Sequence, residues 1–199
     1  MGGNFLIYVE NKFLPYIANV KTYTSGVKGM KWLIISDSHG LTRELEEIIG
    51  RHKNEVERII HCGDSELHHG EKIFSEVIVV QGNCDWKGEF PEEHLEQIEN
   101  ERLYVTHGHR YQVKTSYVPI TYRGEEVGAT IVCFGHSHVA TAFMENNVVY
   151  INPGSIRYPR QRKEKTYAIC EINDRQVFVR FFEISGRPME PLAKTFQRS

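Results

Sequence analysis

Lys31-Trp32-Leu33-Ile34-Ile35-Ser36-Asp37-Ser38-His39-Gly40 is the stretch that decides the fold. Its apolar start reads as a buried first strand over residues 31–36, and a polar cluster closes it. Beyond Gly40, residues Leu41, Leu45, Ile48 and Ile49 recur at helical spacing among charges, which predicts a helix from Thr42 to His52. A second apolar run, 58–62, ends at Gly63-Asp64. A short helix is expected near 66–74, and a third strand over 77–81 ends at Gly82-Asn83-Cys84-Asp85. This is β-α-β-α-β with polar clusters at the C-terminal strand ends, where open α/β sheets place their sites.

Working outward, the second half changes character. Segments 93–98 and 101–106 read as a hairpin over Glu99-Asn100, and a strand over 130–134 ends at Gly135-His136-Ser137-His138. Segments 139–145 and 148–152 pair over Asn146-Asn147, an Asn-rich hairpin turn. Segments 166–172 and 176–184 form a last hairpin over Asn173-Asp174. The pattern predicts an α/β (α+β) fold: a four-layer α-β-β-α sandwich of two mixed sheets, with helices outside.

Residues 1–29 differ. They carry neither the basic start nor the cleavage site of a secretory signal, and they end in the flexible Thr24-Ser25-Gly26-Val27-Lys28-Gly29. We expect a leader or tag-like extension at 1–29 and a single domain at 30–199. The alternative is a genuine extra hairpin, in which Phe5-Leu6-Ile7-Tyr8-Val9-Glu10 makes an edge strand.

Composition narrows the function. The 199 residues are 40% hydrophobic and 25% charged, which is globular rather than disordered. A formal net charge of -2 provides no broad basic field for nonspecific nucleic-acid binding or an anionic membrane. No apolar run approaches the roughly 18 residues of a membrane span. The four cysteines lack CxxC pairing, so disulfides are not expected and a reducing, cytoplasmic setting fits.

Five clusters carry chemistry: Asp37-Ser38-His39, Gly63-Asp64, Gly82-Asn83-Cys84-Asp85, His107-Gly108-His109 and Gly135-His136-Ser137-His138. Each follows an apolar, β-branched run. Carboxylate, imidazole and amide oxygen suit divalent transition metals without any soft thiolate. Any single histidine here is more often structural than a ligand; five clusters at five strand ends are hard to ascribe to chance. Of the remaining histidines, His61 reads as core and the His68-His69 pair as solvated surface.

The ordered series D-x-H, G-D, G-N-C-D, H-G-H, G-H-S-H and Asn152-Pro153-Gly154-Ser155 resembles the calcineurin-like metallophosphoesterases. Within them it resembles the small bacterial and archaeal phosphodiesterase branch, whose animal relative is the retromer scaffold subunit. The resemblance implies two metal ions. Asp37, His39 and His138 would hold one, Asn83, His107 and His136 the other, and Asp64 would bridge them. Mn is the expected metal, with Ni, Fe, Zn or Co as alternatives. The implied reaction is hydrolysis of a small phosphodiester by a metal-bridging hydroxide. The rival readings are a protein-binding scaffold without turnover, and a phosphomonoesterase or dinucleotide polyphosphate phosphatase. A homo-oligomer is left open.

One position departs from the wider superfamily, whose phosphatases carry a leaving-group His after the Asn. Here it is Cys84, either a weak proton donor or a passive spacer. Asp85 would orient a neighbouring imidazole or cap its own loop. His109 would touch substrate or, preferably, support a ligand from behind. Ser155, Arg157 and Arg160 are candidates to bind a substrate phosphate; the alternative places the arginines, with Arg162 and Lys163, in a solvated basic loop.

Overall fold

The structure is a computed structural model and describes residues 29–198. The expectations for residues 1–28 lie outside the described residues. β1 (Met30–Ile35), α1 (Thr42–His52), β2 (Arg58–His61) and β3 (Val77–Val79) form the expected alternating unit. β4 (Glu93–Ile98) and β5 (Glu101–Thr106) follow as a hairpin, then α2 (Val118–Glu126) and β6 (Ile131–Cys133). β7 (Thr141–Glu145) pairs with β8 (Val148–Asn152), β9 (Thr166–Ile172) with β10 (Gln176–Glu183), and β11 (Lys194–Gln197) closes the chain.

One sheet has the order β11-β10-β9-β1-β2-β3 and the other β4-β5-β6-β8-β7. Both are mixed. β1, β2 and β3 run parallel, as do β5, β6 and β8, while the remaining pairs are antiparallel. Alternation along each strand explains the layering. Trp32 and Ile34 of β1 enter the core between the sheets, where they meet Leu103, Val105, Ile131, Cys133, Val149 and Ile151. Leu33 and Ile35 face the other way, under Leu45 and Ile48 of α1. On the far side, Tyr104, Val132 and Tyr150 pack beneath Ile120 of α2. The expected order of helix, sheet, sheet, helix is therefore the observed one.

Three elements differ from expectation. The helix near 66–74 contracts to one 3-10 turn, Lys72–Phe74. Its first residues serve the site instead, with Glu66 at φ 56° and the Leu67 N–H bonded to Ser65 Oγ. α2 was not foreseen because its buried face consists of Ile120 and Gly124. A Cβ at Gly124 would crowd Tyr150, so the helix docks through a missing side chain and leaves little apolar periodicity. β11 is a short, mostly exposed edge strand with no alternating signal.

The topology places the site. The parallel strands of both sheets end at one edge, and their following loops are stitched together there. Asp37 N–H donates to Gly63 O (3.0 Å) and Gly135 N–H to His107 O (3.1 Å). Asn152 Nδ2 donates to Gly135 O (2.7 Å), which ties in the loop after β8.

Candidate metal centre

Asp37 and His39 follow β1, Asp64 follows β2, His107 follows β5, and His136 and His138 follow β6. Candidate ligand atoms of Asp37, His39 and His138 lie within 4.8 Å of one another, as do those of Asp64, His107 and His136. Asp64 links the two groups: its Oδ2 is 3.3 Å from His107 Nε2 and 4.0 Å from His39 Nε2.

Three imidazoles are aimed by the same device. His39 Nδ1 donates to Glu66 Oε1, His107 Nδ1 to the Cys62 carbonyl and His138 Nδ1 to the Tyr158 carbonyl, each at 2.7 Å. An oxygen behind Nδ1 fixes that nitrogen as the donor and leaves the Nε2 lone pair pointing forward. Nε2 of His39 and of His107, together with Asp37 Oδ1, are buried and make no well-formed hydrogen bond, although Asp37 Oδ1 faces His138 Nε2 at 3.1 Å. Buried polar atoms are nearly always satisfied. Three such atoms spread over two linked groups, a carboxylate oxygen among imidazole nitrogens, are the kind of donor that a divalent transition metal takes.

The charge balance agrees. Burial pushes the Asp37 carboxyl up, but His138 and His107 outweigh it and hold it below the usual range. Asp64 is likewise held low, against its own burial, by His107 and by the Cys84 N–H at 2.7 Å. His107 and His138 are conversely raised, because Asp64 and Asp37 outweigh burial. The two carboxylates thus favour positive charge beside them, the charge that divalent cations would supply.

The backbone is strained around this point. Asp37, His39, Asp64, Glu66, His136 and His138 all have positive φ, between 44° and 64°. Such left-handed residues cost about 1–3 kcal/mol each and persist where function requires them. Close approach also demands glycine at two places: a Cβ at Gly82 would overlap Asp64, and one at Gly135 would overlap Ser36.

Other expected residues are placed more variously. Asn83 is exposed, and its Nδ2 donates to Cys84 Sγ (3.2 Å), which leaves Oδ1 free. Cys84 Sγ joins His39 and Asp64 in a third close group. Burial and then the charge of Asp64 push its thiol up to about 12, so it is a thiol rather than a thiolate. The ring centroid of His109 lies 5.4 Å from that of His107 and 6.0 Å from that of His136, and its Nδ1 is buried without a partner.

One expectation needs correction and another narrows to one of its alternatives. Asp85 takes the capping role: it accepts hydrogen bonds from Asp64 N, Ser65 Oγ, Glu66 N and Gly82 N, at 2.7–3.0 Å. It caps the loops after β2 and β3 and locks them together. Ser155 is fully buried, and its hydroxyl is spent on Asp37 O, Arg157 N and Tyr158 N, so it supports the site instead of facing substrate. Arg157 is divided, with Nη1 on His39 O and the guanidinium 5.1 Å from the Tyr158 ring centre. Arg160 is exposed and anchored by its N–H to His138 O (3.0 Å).

Glu66 was missed, although an acidic residue two places after Asp64 was a usable signal. The carbonyls of Cys62 and Tyr158 have no sequence signature at all. His61 is core, as read. Burial drops its pKa to about 4, and it accepts the Gly63 N–H at Nδ1 while meeting Ser38 Oγ at 3.0 Å through Nε2.

The calcineurin-like phosphoesterase superfamily domain matches residues 30–175. The chain belongs to this superfamily. Its members are metallophosphoesterases that bind divalent metals, and the donor set above fits that chemistry. A probable metallophosphoesterase of Bacillus subtilis, YsnB, is 45% identical over 163 residues, covering 82% of this chain and 96% of that protein. Phosphodiesterase YfcE of Escherichia coli is 24% identical over 169 residues, covering 71% and 88%. Among solved structures, a predicted phosphoesterase of Streptococcus pneumoniae superposes with TM-score 0.82 at 32% identity, covering 85% of this chain and 98% of that one. Vacuolar Protein Sorting 29 of Cryptosporidium parvum superposes with TM-score 0.68 at 17% identity, covering 86% and 98%, a likeness of fold alone. Among the described residues no helix is long and apolar enough to cross a membrane.

Proposed function

We propose that this superfamily member is a two-metal phosphodiesterase. Asp37, His39 and His138 would hold one divalent ion, Asn83, His107 and His136 the other, with Asp64 a ligand common to both. The carrying observation is the meeting of two candidate ligand groups, Asp37-His39-His138 and Asp64-His107-His136, across Asp64 Oδ2, which lies 3.3 Å from His107 Nε2 and 4.0 Å from His39 Nε2. Mn is the metal we favour, with Ni, Fe, Zn or Co as competent substitutes.

When bound, such a pair of cations supplies positive charge to phosphoryl oxygens and lowers the pKa of water. The chain's own residues do the rest. Glu66 and the carbonyls of Cys62 and Tyr158 keep three imidazoles forward without any motion at the moment of reaction. Asp85 fixes Asp64 and the Asn83-Cys84 turn relative to each other. Cys84 places a neutral, weakly acidic thiol beside Asp64. A donor so weak gives little help to an alkoxide leaving group. That supports diesters with good leaving groups, in keeping with the name of YfcE. The likeness to Vacuolar Protein Sorting 29 leaves a scaffold role as the second reading.

Chelated protein reconstituted with each metal, then offered bis-p-nitrophenyl phosphate, p-nitrophenyl phosphate and nucleotides, tests this. Hydrolysis should require metal and should be faster for the diester than for the monoester. Turnover in the chelated protein, or a faster monoester, counts against the proposal. Absence of turnover with every metal would favour the scaffold.

A further inference from the structure

One exposed feature beside the centre takes no part in the chemistry described above. Trp86 is 53% exposed, while the other tryptophan, Trp32, is completely buried. The Trp86 indole stacks on His68, with ring centroids 4.1 Å apart and planes 20° from parallel. Exposed indole is costly to display, since it forgoes burial of a large apolar surface. His68 does not hide it; it stiffens it.

Both rings are tied to the site. Trp86 follows Cys84 by two residues, and His68 follows Asp64 by four. Asp85, between Cys84 and Trp86, bonds the backbone N–H groups of Asp64 and Glu66, so one carboxylate clamps both loops. The Trp86 carbonyl accepts Gln81 Nε2 at 3.0 Å and the Glu89 N–H at 3.1 Å, which fixes its backbone. Glu89 Oε1 in turn lies 3.5 Å from His68 Nδ1 and 2.9 Å from His69 Nδ1. The other exposed ring at the site, Tyr158, is already engaged by His39 and Arg157.

We propose that Trp86, backed by His68, is a stacking platform for a planar aromatic group on the phosphoester, and that a nucleobase is the class it takes. The inference rests on the phosphoesterase reading and adds the substrate's organic arm. A flat, rigidly held indole accepts any base on its π-face, whatever the base's hydrogen-bonding edge. The absence of a basic field agrees, because the ligand is then a nucleotide-sized ester and not a polymer.

The test compares adenosine 5′-monophosphate with ribose 5-phosphate, which has the same phosphate and no base, on Mn-loaded protein. Calorimetry gives both Kd values, and tryptophan fluorescence reports the exposed indole directly. The wild type should bind the nucleotide more tightly by about 5- to 150-fold, the usual span for loss of one base–aromatic stack, with quenching. Trp86→Leu should bring the two Kd values together without weakening ribose 5-phosphate, and Trp86→Phe should keep most of the preference. Equal Kd values in the wild type, or an undiminished preference in Trp86→Leu, overturn the platform alone. Binding of neither ligand overturns the phosphoester reading and the platform with it.

Discussion

Asp64→Ala is expected to lower metal-dependent diester turnover by more than about a hundredfold, with the fold retained by circular dichroism. Losing a hydrogen-bonding partner behind a metal ligand typically costs 10–100-fold, and Asp64 is placed as a ligand common to both ions. Its Oδ2 lies between His107 Nε2 and His39 Nε2, and its Oδ1 holds the Cys84 N–H. Asp64→Asn separates charge from shape. The amide can still accept the Cys84 N–H, yet offers no negative charge to two cations. A loss in Asn as deep as in Ala assigns the effect to charge. Wild-type turnover in Asp64→Asn would remove Asp64 from the metal-holding set.

Cys84→His should raise turnover for poor leaving groups. The thiol, pushed up to about 12 by burial and Asp64, is protonated but reluctant to give its proton. An imidazole with an unperturbed pKa near 6.5 is a far better acid at neutral pH. General acid catalysis is typically worth about 10²–10⁴-fold with good geometry, so the gain should fall in that range for an alkoxide and shrink towards none for nitrophenolate. Activity on monoesters should broaden with it. Cys84→Ser separates the two readings of the native thiol, changing little for a spacer and slowing poor leaving groups for a donor. The measurement is rate against leaving-group pKa at matched metal occupancy. Equal slopes in wild type and Cys84→His would mean that position 84 does not face the leaving oxygen.

Legibility in the sequence followed physical cause. The strand period and the polar strand ends are local signals, so β1, β2, the three hairpins and the clusters at Asp37, Asp64, His107 and His136 could all be read. α2 could not, because Gly124 docks it by an absence. Ser155 reads in the sequence as facing substrate, and Asp85 as either orienting an imidazole or capping its loop. Both are polar and adjacent to the site, and sequence does not record that their oxygens turn inward to backbone N–H groups. The left-handed backbone at His136 and His138 was also invisible, since nothing in a His-x-His spacing prescribes φ near 60°. His68 reads as surface and Trp86 gives no reading, because their stacking joins two loops that are distant in sequence.

Metal stoichiometry tests the central claim most directly. Chelated protein titrated with Mn2+ by calorimetry, with bound metal counted by mass spectrometry, should take up two ions per chain. Asp64→Ala should lose high-affinity binding at both sites, and His138→Ala should spare the ion assigned to Asn83, His107 and His136. A wild type that saturates at one ion, or an Asp64→Ala variant that still binds two with unchanged affinity, would contradict the account.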